Sequence, residues 1–204
     1  MKKDSILYTV VFSFIVAFLF VLILALANES TKGIVERNEE LARQKAVLDA
    51  MGYSYNTDSE AETVYQSIEV LDTDGVRLYK GSRGGTLLYA KEFTGSGLWG
   101  TIRGILCVDE TVSQIIGIQI VSHNETPGLG GRISEPWFKE QFNGLKLKNG
   151  TIQVTFGSEA GSGKANKEEG IVDGITGASR TSQAINVIVD TELSLLKNLL
   201  GGSK

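Results

Sequence analysis

Cysteine and histidine each occur once in the 204 residues. A single thiol, Cys107, closes no disulfide within the chain. With one imidazole, His123, the usual Cys/His zinc clusters are excluded, and no metal site is expected. Cys107 lies in the apolar run G-I-L-C-V and reads as a buried strand residue. Two prolines stand against 24 glycines, a balance that favours tight turns and close backbone approaches. Basic clusters are missing beyond the first three residues, and the net charge is -4. The chain therefore has no electrostatic footprint for nucleic acid. G-x-S-x-G and G-x-x-x-x-G-K-[ST] are absent, which removes a nucleophile elbow and a Walker loop. No internal repeat is found.

Charge is also missing from Ile6 to Ala27. At 1.5 Å per residue, roughly 22 residues form a helix of about 33 Å, enough to span a hydrocarbon core. Such a helix satisfies its own backbone polar groups, as lipid requires. A cleaved signal peptide is the competing reading, because Ala25-Leu26-Ala27 fits a small-x-small cleavage pattern. The apolar stretch is longer than a typical signal core, and helix-compatible residues continue past it, so a retained anchor is preferred. Lys2 and Lys3 precede it, which predicts a cytoplasmic N-terminus and an extracytoplasmic remainder.

The chain as a whole has ordinary globular composition, 42% hydrophobic and 22% charged. Gly33 to Met51 continues helically, with Ile34, Leu41 and Leu48 at heptad spacing and Gly52 placed as a stop. Tyr53–Thr63 is polar and reads as a linker. Strands are expected at Val64–Leu71, Val76–Lys80, Leu87–Phe93, Thr101–Val108, Ile115–Val121 and Thr151–Phe156, with D-T-D-G and D-E-T as turns between hairpins. Glu135–Phe142 reads as a short helix with proline in its first turn. Gly157–Glu169 has loop composition, and a final helix is expected over Ser182–Leu199. Strands in runs with helices at the ends imply an α+β domain of antiparallel strands with flanking helices.

Three stretches are too specialised for simple connection. G-S-G-L-W-G (95–100) sets Trp99 among glycines. H-N-E-T-P-G-L-G-G (123–131) holds Leu129 at the tip of a glycine turn, where it would pack on a planar ligand or serve as an ordinary buried residue. His123 alone reads as a solvated or hydrogen-bonded loop residue. T-G-A-S-R-T (176–181) opens the last helix. Unpaired N–H groups and the helix dipole there would bind a phosphate without lysine. The alternative is that Ser179 or Thr181 is a plain N-cap.

Together, in this order and behind one membrane helix, the three stretches resemble the covalent-flavin subunits of ion-translocating redox complexes. These are the G subunit of Rnf-type ferredoxin:NAD oxidoreductases and the C subunit of sodium-translocating NADH:quinone oxidoreductases (the Nqr type). The family motif [S/T]-G-A-[S/T]-x-[S/T] corresponds to T-G-A-S-R-T. The resemblance implies FMN joined by a phosphoester to Thr181, with Thr176, Gly177, Ala178, Ser179 and Ser182 around the phosphate. Trp99, Glu125, Thr126, Gly128 and Leu129 would lie near the flavin ring, with Glu125 toward its polar edge. Arg180 fills the variable position, and Lys164 and Lys167 are weaker candidates for offsetting phosphate charge.

The resemblance further implies an electron-transfer subunit with no turnover of its own. Its partners would be other subunits of the complex, membrane lipid, and a separate flavin transferase that uses FAD. The expected organisation is an anchor over 1–28, a stalk helix and linker over 29–56, and an extracytoplasmic FMN-binding domain over 57–204. Length favours the Rnf type over the Nqr type. A non-redox, single-pass binding module for a sugar or peptide, and an FMN domain of a membrane regulator, are the other readings.

Overall fold

The computed structural model describes residues 6–201, so Lys2 and Lys3 lie outside the described residues. The chain divides into two compact units, Met1–Leu41 and Ala42–Lys204. Helix α1 runs over Ile6–Met51, 46 residues without a break. Its first part is long and apolar enough to cross a membrane, with a mean hydropathy of 3.2 in its most apolar window and none of that window buried. Phe12, Phe14, Leu19 and Leu24 are exposed, the surface that a lipid-facing helix presents.

In the second unit, the last turns of α1 bury Val47, Leu48, Ala50 and Met51. Gly52 stops the helix as its composition predicts, at φ +74°. Its N–H donates to the Asp49 carbonyl, and the Tyr53 N–H to the Leu48 carbonyl. Helix α2, Asp58–Tyr65, replaces the expected linker and the first residues of the expected Val64–Leu71 strand. Thr57 caps it by accepting from the Glu60 N–H at 3.2 Å, while Glu60 Oε2 accepts from the Asn56 N–H at 2.8 Å. That is the reciprocal arrangement of a capping box, displaced by one residue on the return bond.

Strands β1 (Glu69–Thr73), β2 (Val76–Arg83), β3 (Thr86–Ser96), β4 (Thr101–Asp109), β5 (Gln114–Ser122) and β6 (Leu145–Lys146) form one sheet in sequence order. All of its pairings are antiparallel. Two-residue turns close the first hairpins, Asp74-Gly75 and Gly84-Gly85, all four with positive φ, as right-twisted hairpins favour. Side chains alternate across the sheet. Leu78, Ile102, Leu106 and Val108 join one core, and Tyr79, Ile105 and Cys107 the other.

The second core is covered by the end of α1 and by α2. The first is covered by α3 (Pro136–Lys139), the 3-10 turn Glu140–Phe142 that follows it, and α4 (Ser179–Gly201). The result is the α+β architecture expected from the sequence. α4 lies close on β3 because Gly95 has no side chain: a Cβ there would come within 2.3 Å of Ile188. Lys91 on β3 and Glu192 on α4 pair at 2.6 Å, each about 12% exposed, and pin the two elements together.

The expected Thr151–Phe156 strand shortens to β7, Gln153–Val154, which pairs in parallel with β8, Ile171–Val172. On the side away from β8 its backbone is claimed by α4 instead of a second strand. The Ile152 N–H donates to Asp190 and the Val154 N–H to Asn186.

Candidate functional site

The three specialised stretches meet at one carboxylate. β3 ends at Ser96, and the Gly97 N–H donates to the Gly100 carbonyl at 2.7 Å, which makes 97–100 the tight end of the β3–β4 hairpin. That turn aims two backbone N–H groups inward. Leu98 N and Trp99 N donate to Glu125 Oε1 at 2.8 and 3.1 Å. On the other oxygen, Thr181 Oγ1 donates to Glu125 Oε2 at 2.6 Å. Glu125 is 4% exposed and Thr181 1% exposed, so the bond lies inside the domain.

Glycines make this convergence possible. A Cβ on Gly97 would stand 2.4 Å from Glu125 Oε1, and one on Gly100 would stand 2.8 Å from Asn124 Nδ2. A Cβ on Gly130 would stand 2.5 Å from Thr181 Oγ1 and 2.7 Å from Glu125 Oε2. The turn that carries Gly130 is folded on itself, with Leu129 N and Gly131 N both donating to the Thr126 carbonyl. Gly128 takes the left-handed backbone that this turn needs, at φ +74°.

α4 begins at Ser179, at the end of the T-G-A-S run. Gly177 has φ +79°, and a Cβ there would lie 3.3 Å from Leu129 Cδ2, so the glycine-tip leucine reaches the start of the helix. The hydroxyls of the motif have distinct partners. Thr176 donates to the Ala160 carbonyl, Ser179 accepts from the Gly157 N–H, and Ser182 accepts from the Ile175 N–H. Asp173, buried beneath, accepts from Gly161 N, Gly163 N and Thr155 Oγ1 and so ties the 157–163 loop to the motif.

Above the buried pair the surface is apolar and open. Leu98, Trp99 and Leu129 are exposed, Trp99 at 68%. Beside them an open groove of about 560 Å³ runs between the end of β3 and the first half of α4. Leu98, Arg180, Gln183 and Val187 are among its walls. Lys164 and Lys167 are engaged elsewhere, with Glu159 and with the Asn143 carbonyl. His123 Nδ1 accepts the Glu125 N–H at 3.1 Å.

The arrangement gathers a buried hydroxyl at the start of α4, exposed apolar side chains at Leu98, Trp99 and Leu129, and an open groove beside them. The FMN-binding domain family matches residues 97–194, a span that contains the second and third stretches and the last four residues of the first. The G subunit of the ion-translocating oxidoreductase complex of Cereibacter sphaeroides is 33% identical over 181 residues, covering 85% of this chain and 76% of that relative. The chain belongs to this family of FMN-binding subunits.

Within the family, the C subunit of the Na(+)-translocating NADH-quinone reductase of Pasteurella multocida is 38% identical over 112 residues, or 54% of this chain. The chain spans 42% of that relative's length. The crystal structure of the corresponding protein from Parabacteroides distasonis superposes with a TM-score of 0.67 at 26% identity. That superposition covers 82% of this chain and 96% of the other.

Sequence reasoning named Glu125 and Thr181 separately and missed that they are bonded. It also left Gly97, Gly130 and Asp173 unassigned. The glycine-rich turns G-S-G-L-W-G and G-L-G-G were the available signal for the first two. Asp173 sits directly before the G-I-T-G-A run, in a position that offered no periodic cue.

Proposed function

We propose that the chain is an electron-transfer subunit of an ion-translocating membrane oxidoreductase and carries FMN as a phosphoester on Thr181. The buried hydroxyl of Thr181, at the start of α4 and held by Glu125, is the observation that carries the reading. Partial positive charge at that helix end stabilises phosphoryl oxygens, and the bare backbone at Gly177 admits them. Leu129, Trp99 and Leu98 supply the apolar surface for the ring. Glu125 Oε2 accepts the Thr181 hydroxyl, which supports a role for it beside the ester oxygen.

When bound, the flavin supplies reversible electron transfer between partner subunits. The chain contributes attachment, orientation and shielding. The Cereibacter relative, matched over 85% of this chain, supports the Rnf type, and the Nqr-type structure, superposed over 82% of this chain, supports the alternative equally. α1 anchors the protein in the membrane, its N-terminus cytoplasmic and the FMN domain outside, next to the other subunits. A separate flavin transferase makes the ester. In this organisation the FMN-binding domain takes in the last turns of α1 and extends over the second unit, Ala42–Lys204, in place of the expected 57–204.

Acid precipitation of the purified protein, made in cells that contain the transferase, tests the reading. Flavin absorbance that stays with the washed, denatured pellet is expected. A colourless pellet would favour the non-redox binding module.

A further inference from the structure

We propose that Glu125 accepts the proton of Thr181 when that hydroxyl becomes the ester oxygen. The inference rests on the covalent reading above. A threonine hydroxyl is a poor nucleophile at neutral pH, and activation by an adjacent base within hydrogen-bond reach is the general remedy. Glu125 Oε2 stands 2.6 Å from Thr181 Oγ1. Its other oxygen is clamped by the Leu98 and Trp99 amides at 2.8 and 3.1 Å, so the receiving oxygen is fixed and ready. His123, the nearby imidazole, is turned to its own loop and accepts the Glu125 amide instead.

The step balances without redox change. Thr181 Oγ1 bonds to the flavin-side phosphorus of a flavin dinucleotide supplied by the transferase. The phosphoanhydride bond breaks, and adenosine monophosphate leaves with the bonding pair. The hydroxyl proton passes to Glu125 Oε2 and then to solvent. Because Thr181 is only 1% exposed, the donor reaches Oγ1 only after the Gly128–Gly131 turn lifts. That turn's own bonds run to the Thr126 carbonyl, whereas the Glu125 carboxylate is tied to the 98–99 amides. The cover can therefore move while the base stays in place.

The test uses the full-length chain in detergent, made without transferase and then treated with purified flavin transferase, FAD and Mg²⁺. Intact mass is followed against time at several acceptor concentrations. Glu125→Gln keeps an oxygen for the two amides but cannot take a proton. It is expected to lower kcat for transfer by roughly 100-fold or more and to leave KM for the acceptor protein unchanged. Transfer at the wild-type kcat, or a loss wholly in KM, would overturn the proposal. Should Glu125→Gln lose its melting transition, Glu125→Asp decides. A clear fall in kcat at the native melting temperature supports the role, and a wild-type kcat refutes it. Absence of any mass gain in the wild-type chain is a separate result, which removes the covalent reading itself and this one with it.

Discussion

At Gly130 one added carbon would reach the centre of the site. Its φ is not in the left-handed region that only glycine favours, so alanine meets no backbone penalty there and the effect is purely spatial. The new Cβ would stand 2.5 Å from Thr181 Oγ1 and 2.7 Å from Glu125 Oε2, forcing apart the pair that the rest of the loop is built to join. Overpacking of this kind costs about 1–3 kcal/mol. Gly130→Ala should therefore melt several degrees below the wild type and take up FMN at least tenfold more slowly, by intact mass under identical treatment. Unimpaired loading would show that the Glu125–Thr181 contact is dispensable. Glu125 also marks the limit of residue-level reading. A lone acidic residue before T-P-G-L-G has no sequence signal for partners 27 and 56 positions away.

The start of α4 holds its shape through a bond that no ligand is needed to explain. Ser182 is fully buried and its hydroxyl accepts the Ile175 N–H at 3.0 Å. Removing it leaves a buried donor unsatisfied, at about 1–3 kcal/mol. Ser182→Ala should lower the denaturant midpoint of the full-length protein while Thr181 still receives FMN. Loss of FMN with unchanged stability would instead place Ser182 against the phosphate.

At this scale much was legible. The strands that became β2 to β5 are short apolar runs bounded by glycine or aspartate turns, and the terminal helix follows its Ile185, Ile188, Val189 and Leu196 face. The failures have physical causes. Tyr53–Thr63 is polar because α2 buries only Ala61 among its eight residues. Its one overt signal, Thr57-Asp-Ser-Glu60, is a capping-box spacing that composition obscured. Thr151–Phe156 has strand residues, yet Asn186 and Asp190 of α4 take the backbone N–H groups on the side away from β8, where a second neighbouring strand would pair.

Over the whole molecule, two units divide the work. The charge-free run at the start of α1 gives a membrane anchor, and a two-sided antiparallel sheet gives a rigid frame for one site. The anchor was legible because lipid demands a long apolar run. The domain's role was legible because three short motifs, far apart in sequence, keep a fixed order. What the sequence withheld was their convergence on a single buried carboxylate, a property of the register of β3 with β4 and of where α4 begins. The ester on Thr181 is the claim on which the rest depends. Intact mass of the denatured full-length protein, co-expressed with a flavin transferase, tests it most directly. The wild type should gain the mass of FMN less one water, and Thr181→Ala should gain nothing while remaining folded. An unmodified wild type beside active transferase, or an equal gain in Thr181→Ala, would contradict it.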